Sequence, residues 1–459
     1  MRISISAFGP INHFEFDLTK DVVVTFGDNN IGKSYAMQVV YLLLKNLREF
    51  SSYYTRYYRY GYYARNESYY KEINRIVNSF ASSTDDVKEI TSAINDSILA
   101  DMTSKFLKAL INSCNNTFGN FEEIQRNEPK VELQINKTVL KFNLGTSPSS
   151  YGNIYTFPTS LKRSNSNFHK SRKTNQHFDI YYYNDIQTTT GVVIENIEKE
   201  RDRFARTLDS NVGDVYFLPA SRSGIYSGMS AFSSIIAELS KSKAMLTQKI
   251  ELPGISEPIS DYFLLLSNIR GGENDLYSSV YKKIESDILK GKVNFNRISN
   301  TLVYTPDGMK HEFEMTEVSS MVSEISPIVA FMKYIISSSG RNRGKAKPIV
   351  FIEEPEAHLH PKNQIKLVEY FCELKSLGIQ IVISSHSNYI FNKLNNQLLK
   401  GVISPQNYSA ILLESHSHGS ISAFMEMDEL GVSDSNFLDV SQELYNEREA
   451  IIEAWNDKV

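Results

Sequence analysis

The 459-residue sequence has little cysteine, one tryptophan and no long apolar run. Its two cysteines, Cys114 and Cys372, lie far apart in segments with helical patterning. Neither a disulfide framework nor a thiolate metal site is available to them, and both read as structural residues of a reducing compartment. No stretch approaches the roughly eighteen apolar residues of a spanning helix, so no membrane role is expected. The start, Met1-Arg2-Ile3-Ser4-Ile5-Ser6, alternates polar and apolar residues instead of forming the apolar core of a secretion signal, and the expected location is cytoplasmic. Charge of one sign is also lacking: 49 Lys and Arg stand against 53 Asp and Glu, a net −4. That balance argues against attraction of the whole molecule to nucleic acid and leaves local basic patches as the place to look.

What the chain does have is length enough for two or three domains, or one with large insertions, and 27 tyrosines, nine of them between Tyr53 and Tyr70. The stretch Ile3 to Asp17, broken at Phe8-Gly9-Pro10, predicts two short strands joined by a turn, and Val22 to Phe26 predicts a buried strand. That strand ends at Gly27-Asp28-Asn29-Asn30-Ile31-Gly32-Lys33-Ser34. After it Ala36, Val40, Leu43, Leu44 and Leu47 place one apolar face on a helix. Strand, glycine loop and helix are the context of a phosphate-binding P-loop. Gly27 and Gly32 let successive N–H groups point at one anion, Lys33 neutralises β- and γ-phosphates, and the Ser34 hydroxyl ligates magnesium.

Far downstream, Ile349-Val350-Phe351-Ile352 reads as a strand buried on both faces that ends in Glu353-Glu354-Pro355-Glu356. Carboxylates at such a strand end are costly unless they hold a cation or do chemistry. Glu353 is the candidate magnesium ligand and Glu354 the candidate base that positions the attacking water. His358 and His360 with Glu356 make a weak metal site, since no third cluster is near. A helix from Lys362 to Leu377, capped by Gly378, leads into the strand Ile379 to Ile383, which delivers Ser384-Ser385-His386-Ser387. His386 at that tip can hydrogen-bond a γ-phosphate and report its presence.

Between these ends, residues 51 to 113 read as mostly helical, 121 to 144 as a hairpin turning near Asn136-Lys137, 231 to 289 as helical and 293 to 313 as further hairpins. Residues 348 to 424 alternate strands and helices, as a parallel sheet requires. Residues 162 to 173 carry Lys162, Arg163, Lys170, Arg172 and Lys173 with no acid, and read as a mobile basic loop. The segment from Tyr53 to Lys71 mixes tyrosine with Arg56, Arg59, Arg65 and Lys71, which suits stacking on bases or, more readily, a protein interface or the core of the insertion.

Together the P-loop, Phe8-Gly9-Pro10-Ile11, Glu353 to Pro361 and Ser385-His386-Ser387 resemble the ABC-type ATPases of the RecF, SMC and OLD group. Leu218-Pro219-Ala220-Ser221-Arg222-Ser223-Gly224 resembles a segment of standalone OLD-like ATPases, many of them encoded in prokaryotic antiviral defence operons. The matching residues cover roughly the first fifty and Val215 to Phe424. The resemblance implies an α/β fold, an ABC-type P-loop ATPase head of mostly parallel sheet with flanking helices plus an antiparallel β subdomain, carrying a helical insertion. The expected division is 1–50 and 211–459 for the two halves of the head, with an insertion at 51–210 and a second, helical one at 231–290. ATP and Mg2+ are the implied cofactors. Two such heads sandwich two ATP molecules, a signature serine from one touching the γ-phosphate held by the other. The matching place here is Glu317 to Glu324, with Ser319 and Ser320 as candidates, an ordinary helix N-cap as the alternative, and Met321 where relatives have glycine. Glu353 stands where aspartate is usual. The Toprim nuclease domain of OLD nucleases is not expected, because about 35 residues follow Phe424 and Ser433-Asp434-Ser435 reads as a helix-capping turn.

Three functions follow from this reading. The first is a defence sensor that hydrolyses ATP, self-associates through its heads and controls a separate effector protein. The second is a RecF-like ATPase binding DNA through residues 162–173 or 53–71. The third is an ATP-locked scaffold with little turnover.

Overall fold

A computed structural model describes residues 1–456 apart from 60–66, 120–127, 137, 146, 155–156, 165–169, 175–176, 229–254, 338–345, 429–430 and 434–437. The chain begins with strands β1 (Arg2–Phe8), β2 (Ile11–Asp17) and β3 (Val22–Phe26). Strand β3 is buried at every residue, as its unbroken Val-Val-Val-Thr-Phe run requires, and burial of each of its apolar side chains stabilises by roughly 1.5–3 kcal/mol. Helix α1 (Lys33–Arg59) follows the glycine loop. The helical stretch read from residue 51 holds α2 (Glu67–Ser82), α3 (Thr91–Met102) and α4 (Lys108–Phe118), with a short strand β4 (Val87–Glu89) the periodicity did not show.

Strands β5 (Lys130–Ile135) and β6 (Thr138–Asn143) pair antiparallel as the expected hairpin, and Asn136 takes a left-handed φ of 54° at its turn. Then come β7 (Ser149–Gly152), β8 (Thr159–Arg163), β9 (Ser171–Lys173), β10 (Phe178–Tyr182) and α5 (Ile186–Asn211), whose first turn is capped by the Asp185 carboxylate accepting from Thr188 N–H at 3.0 Å. The rest of the chain supplies β11 (Val215–Leu218), α6 (Glu257–Ser267), α7 (Ser278–Ile284), the antiparallel trio β12 (Gly291–Asn296), β13 (Thr301–Pro306) and β14 (Phe313–Glu314), and α8 (Ser320–Ala330). The last third alternates β15 (Ile349–Glu353), α9 (Pro361–Ser376), β16 (Gln380–Ser384), α10 (Asn388–Leu399), β17 (Tyr408–His416) and β18 (Gly419–Phe424), and ends in α11 (Leu438–Asn456).

Two compact units divide the chain. One comprises Pro10–Gln38, Tyr216–Ser338 and Pro348–Val459. In it strands run in the order β11-β15-β16-β3-β17-β18-β2, with β15, β16, β3 and β17 parallel to one another, β18 antiparallel to β17, and β2 parallel to β18. Register sets Glu353 beside Ser384 and Ser384 beside Thr25, so the C-terminal ends of three strands lie side by side. Val24, Phe26, Ile352, Ile383, Phe371 and Phe331 belong to its apolar core. The α/β class expected from the sequence, a mainly parallel sheet with helices and an antiparallel portion, is what this unit shows.

The other unit comprises Met1–Gly9, Val39–Val215 and Ser339–Lys347. It contains the antiparallel order β1-β5-β6-β7 and a second sheet, β4-β8-β10-β9, whose Leu161 and Ile180 share a core with Ile73, Val77 and Phe80 of α2 and Val193 and Ile197 of α5. Here the reading of 162–173 as a mobile loop is corrected. Its ends are the strands β8 and β9, and three of its cations have partners: Lys162 pairs with Asp179 at 2.9 Å, Lys173 approaches Glu200 at 3.9 Å, and Arg163 donates to the carbonyls of Phe80, Ala81, Ser83 and Asp85. Residues 165–169 lie outside the described ones, as do residues 60–66 of the tyrosine-rich segment, part of the 231–289 region, and Asp434 and Ser435.

Candidate nucleotide and catalytic site

The glycine loop has the conformation its residues predict. Gly27 sits at φ 134° and a Cβ there would lie 2.4 Å from the Leu413 carbonyl oxygen, while Gly32, at φ 96°, turns the chain into α1 with Pro10 Cγ 3.2 Å from its would-be Cβ. Asn30 is left-handed at φ 62°, and the Ser420 hydroxyl donates to the Ile31 carbonyl at 2.5 Å, pinning the loop to β18. Asp28 and Asn29 complete its outer, exposed side. Lys33 is buried, and its ammonium donates to the carbonyls of Gly27 at 2.9 Å and Asp28 at 2.5 Å. Burial lowers its pKa to about 8, against the pull of Glu354, Asp28 and Glu356.

Glu353 closes β15 with its carboxylate buried. Oε2 accepts from Ala220 N–H at 3.3 Å, the exposed Ser34 hydroxyl donates to the same group, and Oε1 has no protein partner. Burial raises the carboxyl to about 7, partly offset by the Ala220 and Ser34 hydrogen bonds. Glu354 follows in a left-handed conformation, φ 42°, with its N–H donating to the Ser384 carbonyl at 3.0 Å. Non-glycine residues adopt that region at a cost of about 1–3 kcal/mol, which collects at functional positions. Its carboxylate stays partly exposed, and Oε1 lies 4.0 Å from His386 Nε2. His386 Nδ1 is in turn 3.5 Å from Lys33 Nζ, and burial and then Lys33 hold the imidazole below its usual pKa.

Sequence reasoning missed how His386 is held. Glu356 Oε1 accepts from Ser385 Oγ at 2.8 Å and from His386 N–H at 2.7 Å, and its other oxygen is buried with no partner. Burial pushes the Glu356 carboxyl up. The signal was available: a third acid directly after Glu353-Glu354-Pro355, on a strand expected to neighbour the one ending at His386. His360, weighed as a metal ligand, instead caps α9, its Nδ1 accepting from Lys362 N–H at 3.3 Å.

Lys33, Ser34, Glu353, Glu354 and His386 are therefore brought together. Ser319 and Ser320 are exposed at the start of α8, where the Ser319 hydroxyl accepts from Val322 N–H at 3.5 Å as an N-cap. Among the described residues no contact joins either serine to the Lys33 group.

With that geometry in place, the chain matches a family model described as an AAA ATPase domain over residues 1–391. It belongs to the AAA ATPase domain family. No curated protein matches it. Solved structures similar to this ATPase domain include an SMC head bound to the C-winged helix domain of ScpA, at 10% identity over 93% of this chain and 98% of that one with a TM-score of 0.37. Others are the SMC head domain from Thermotoga maritima, at 9% identity over 93% and 98% with a TM-score of 0.34, and an Smc head domain with an extended coiled coil bound to the C-terminal domain of ScpA from Pyrococcus furiosus, at 11% over 98% and 98% with a TM-score of 0.35. These likenesses are distant, and what the ATPase domain does is read from its own site. No described helix is long and apolar enough to cross a membrane.

Proposed function

We propose that this chain is an ATP-binding and ATP-hydrolysing head of ABC type, acting as the sensor and regulatory scaffold of an antiviral defence system that controls a separate effector protein. One observation carries the hydrolytic part. Lys33, Glu353, Glu354 and His386, from segments more than three hundred residues apart, meet beside the C-terminal ends of parallel strands, where α/β sheets bind ligands.

The residues fit a magnesium–nucleotide complex. The loop has no room for side chains at Gly27, α1 begins directly after the loop with the positive end of its dipole toward it, and Glu353 Oε1 is a buried oxygen without a partner next to the Ser34 hydroxyl. Ser34 and Glu353 would hold Mg2+, which when bound supplies charge neutralisation on the phosphates. Lys33 holds the phosphate oxygens. Glu354 accepts the proton of the attacking water. His386, neutral and accepting from Lys33 through Nδ1, keeps a proton on Nε2 to donate toward the γ-phosphate. A second copy would complete the site by presenting Ser319 or Ser320, which stand exposed at a helix N-terminus.

The regulatory part rests on the resemblance of Leu218 to Gly224 to standalone OLD-like ATPases of defence operons. The pairing of Lys162, Arg163 and Lys173 inside the chain supports the sensor reading over DNA maintenance through that segment. ATP turnover compared between wild type and Glu354→Gln tests the chemistry. A loss on the order of 10²–10⁴-fold with ATP binding retained is expected, and equal rates would refute hydrolysis and leave the ATP-locked scaffold. Phage plating on cells carrying the intact operon or its Lys33→Ala version tests the role. Equal plating would sink the defence reading.

A further inference from the structure

Among the described residues Arg222 is the largest fully buried side chain, at 0% exposure, and Glu324, at 1%, is its ionic partner, with Nε 3.3 Å from Oε2. A buried ion pair is weak evidence for stability, since well-packed apolar residues of like size commonly serve as well. Its bonds say what it does instead. Arg222 Nη1 donates to the Glu353 carbonyl at 2.7 Å and the Pro219 carbonyl at 3.2 Å, and Nη2 donates to the Glu354 carbonyl at 3.3 Å. Nε donates to the main-chain oxygen of Glu324 at 3.1 Å. The Glu324 carboxylate accepts from Arg222 N–H at 3.0 Å, Ser223 N–H at 3.1 Å and Ser223 Oγ at 2.8 Å, and the Tyr262 hydroxyl donates to the Arg222 carbonyl at 3.0 Å. One guanidinium thus joins helix α8 to the peptide units on either side of the Glu354 nitrogen and α-carbon.

The place where it grips matters. Glu354 is left-handed, and such a conformation persists only where its surroundings over-determine it. Ser384 holds its N–H and Arg222 its carbonyl, so the backbone from which the carboxylate projects is fixed between them. Glu324 lies one turn inside α8 from Ser320, close enough for the first turns of the helix to move as one body.

We propose that Arg222 and Glu324 form a positioning unit that makes the placement of the Glu354 carboxylate depend on where the serine-bearing start of α8 sits. Engagement of Ser319 or Ser320 by a neighbouring head's nucleotide then aligns the base in this chain's own site. This rests on the ATPase reading above.

The experiment compares wild type, Glu354→Gln, Glu324→Gln, the paired Arg222→Met with Glu324→Leu, and the combined Glu324→Gln with Glu354→Gln. Melting temperature, the Kd of an ATP analogue, kcat and KM are measured for each. Glu324→Gln keeps the carbonyl acceptor but not the charge, so a kcat loss of roughly 10–100-fold with Kd changed less than about threefold is expected. The apolar pair should melt within a few degrees of wild type and show the same kcat loss. The combined variant should be no slower than Glu354→Gln alone, because the unit acts through that carboxylate. Unchanged kcat in either folded variant overturns the proposal, as does a Kd loss equal to the kcat loss, or losses that multiply in the combined variant. Should neither Glu324→Gln nor the apolar pair fold, the unit is structural support and the proposal falls. A wild type without turnover overturns this inference and the ATPase reading together. Normal Glu324 variants beside an inactive Glu354→Gln overturn this inference alone.

Discussion

His386 Nδ1 lies 3.5 Å from Lys33 Nζ, although the two residues stand 353 positions apart in the chain. An ammonium has no lone pair, so the ring nitrogen accepts and the imidazole is neutral. A protonated ring would set two cations side by side in a half-buried place, and the lowered His386 pKa states that cost. The pair therefore makes this end of the candidate site sensitive to protons at both members.

Lys33 titrates first on the alkaline side. Its pKa of about 8 means that the ammonium, the form phosphate binds, fades as pH rises past 8. Affinity for a non-hydrolysable ATP analogue should weaken by up to about tenfold per unit above that point. Titrations at pH 7, 8 and 9 check this. A flat profile would show that Lys33 stays charged or takes no part, whereas Lys33→Ala should bind weakly at every pH.

Glu353 gives the opposite slope. With its carboxyl at about 7 against an ordinary 4.5, the folded state keeps a proton that the unfolded chain releases. Its contribution to stability is present in full below pH 4.5 and is lost as pH rises to 7. Melting temperature without metal should therefore fall across that window, less so in Glu353→Gln. Mg2+ needs the carboxylate, so its affinity should rise with pH up to about 7 and the rise should vanish in the same variant. Metal affinity independent of pH in wild type would remove Glu353 from the metal site.

Gly27→Ala tests the loop. Its Cβ would meet a main-chain oxygen, that of Leu413, and its φ of 134° disfavours any side chain. The loop must shift, costing roughly 1–3 kcal/mol. Nucleotide binding should fall at least tenfold, as read by calorimetry. Wild-type affinity would contradict the cradle.

Glu356→Ala should leave the Ser385 hydroxyl and the His386 N–H unpaired, at about 1–3 kcal/mol of stability. Because the same bonds aim His386, kcat should drop about tenfold with KM little changed. A melting loss with normal kcat would make Glu356 a purely structural residue.

Much of the site was legible because its chemistry resides in contiguous runs. Gly27 to Ser34 form one contiguous glycine loop proposed to bind through its main chain, and the apolar run before Glu353 declares its own burial. What escaped was side-chain traffic between strand tips. Glu356 reaches His386 because β15 and β16 lie parallel in one register, Arg222 reaches Glu354 because β11 lies beside β15, and residue types state neither strand order nor register. The 162–173 segment misled for a related reason. Its strands are three to five residues long, too short to show alternation, and the acids that pair its cations, Asp179 and Glu200, come later in the chain. Ser319 takes the helix N-cap that was the alternative reading of its sequence, at an exposed end of α8.

The position of β3 between β16 and β17 bears on how the protein is made. Phe26 pairs with Leu412, so the P-loop strand leaves the ribosome 386 residues before its neighbour in β17 exists. At about 5–20 residues per second, a strand apolar on both faces waits roughly 20–80 s for its partner. During that interval it is an open edge exposed to any other chain. Yield in cells should then respond to chaperone supply and to slow synthesis of the middle of the chain, even where the finished protein is stable.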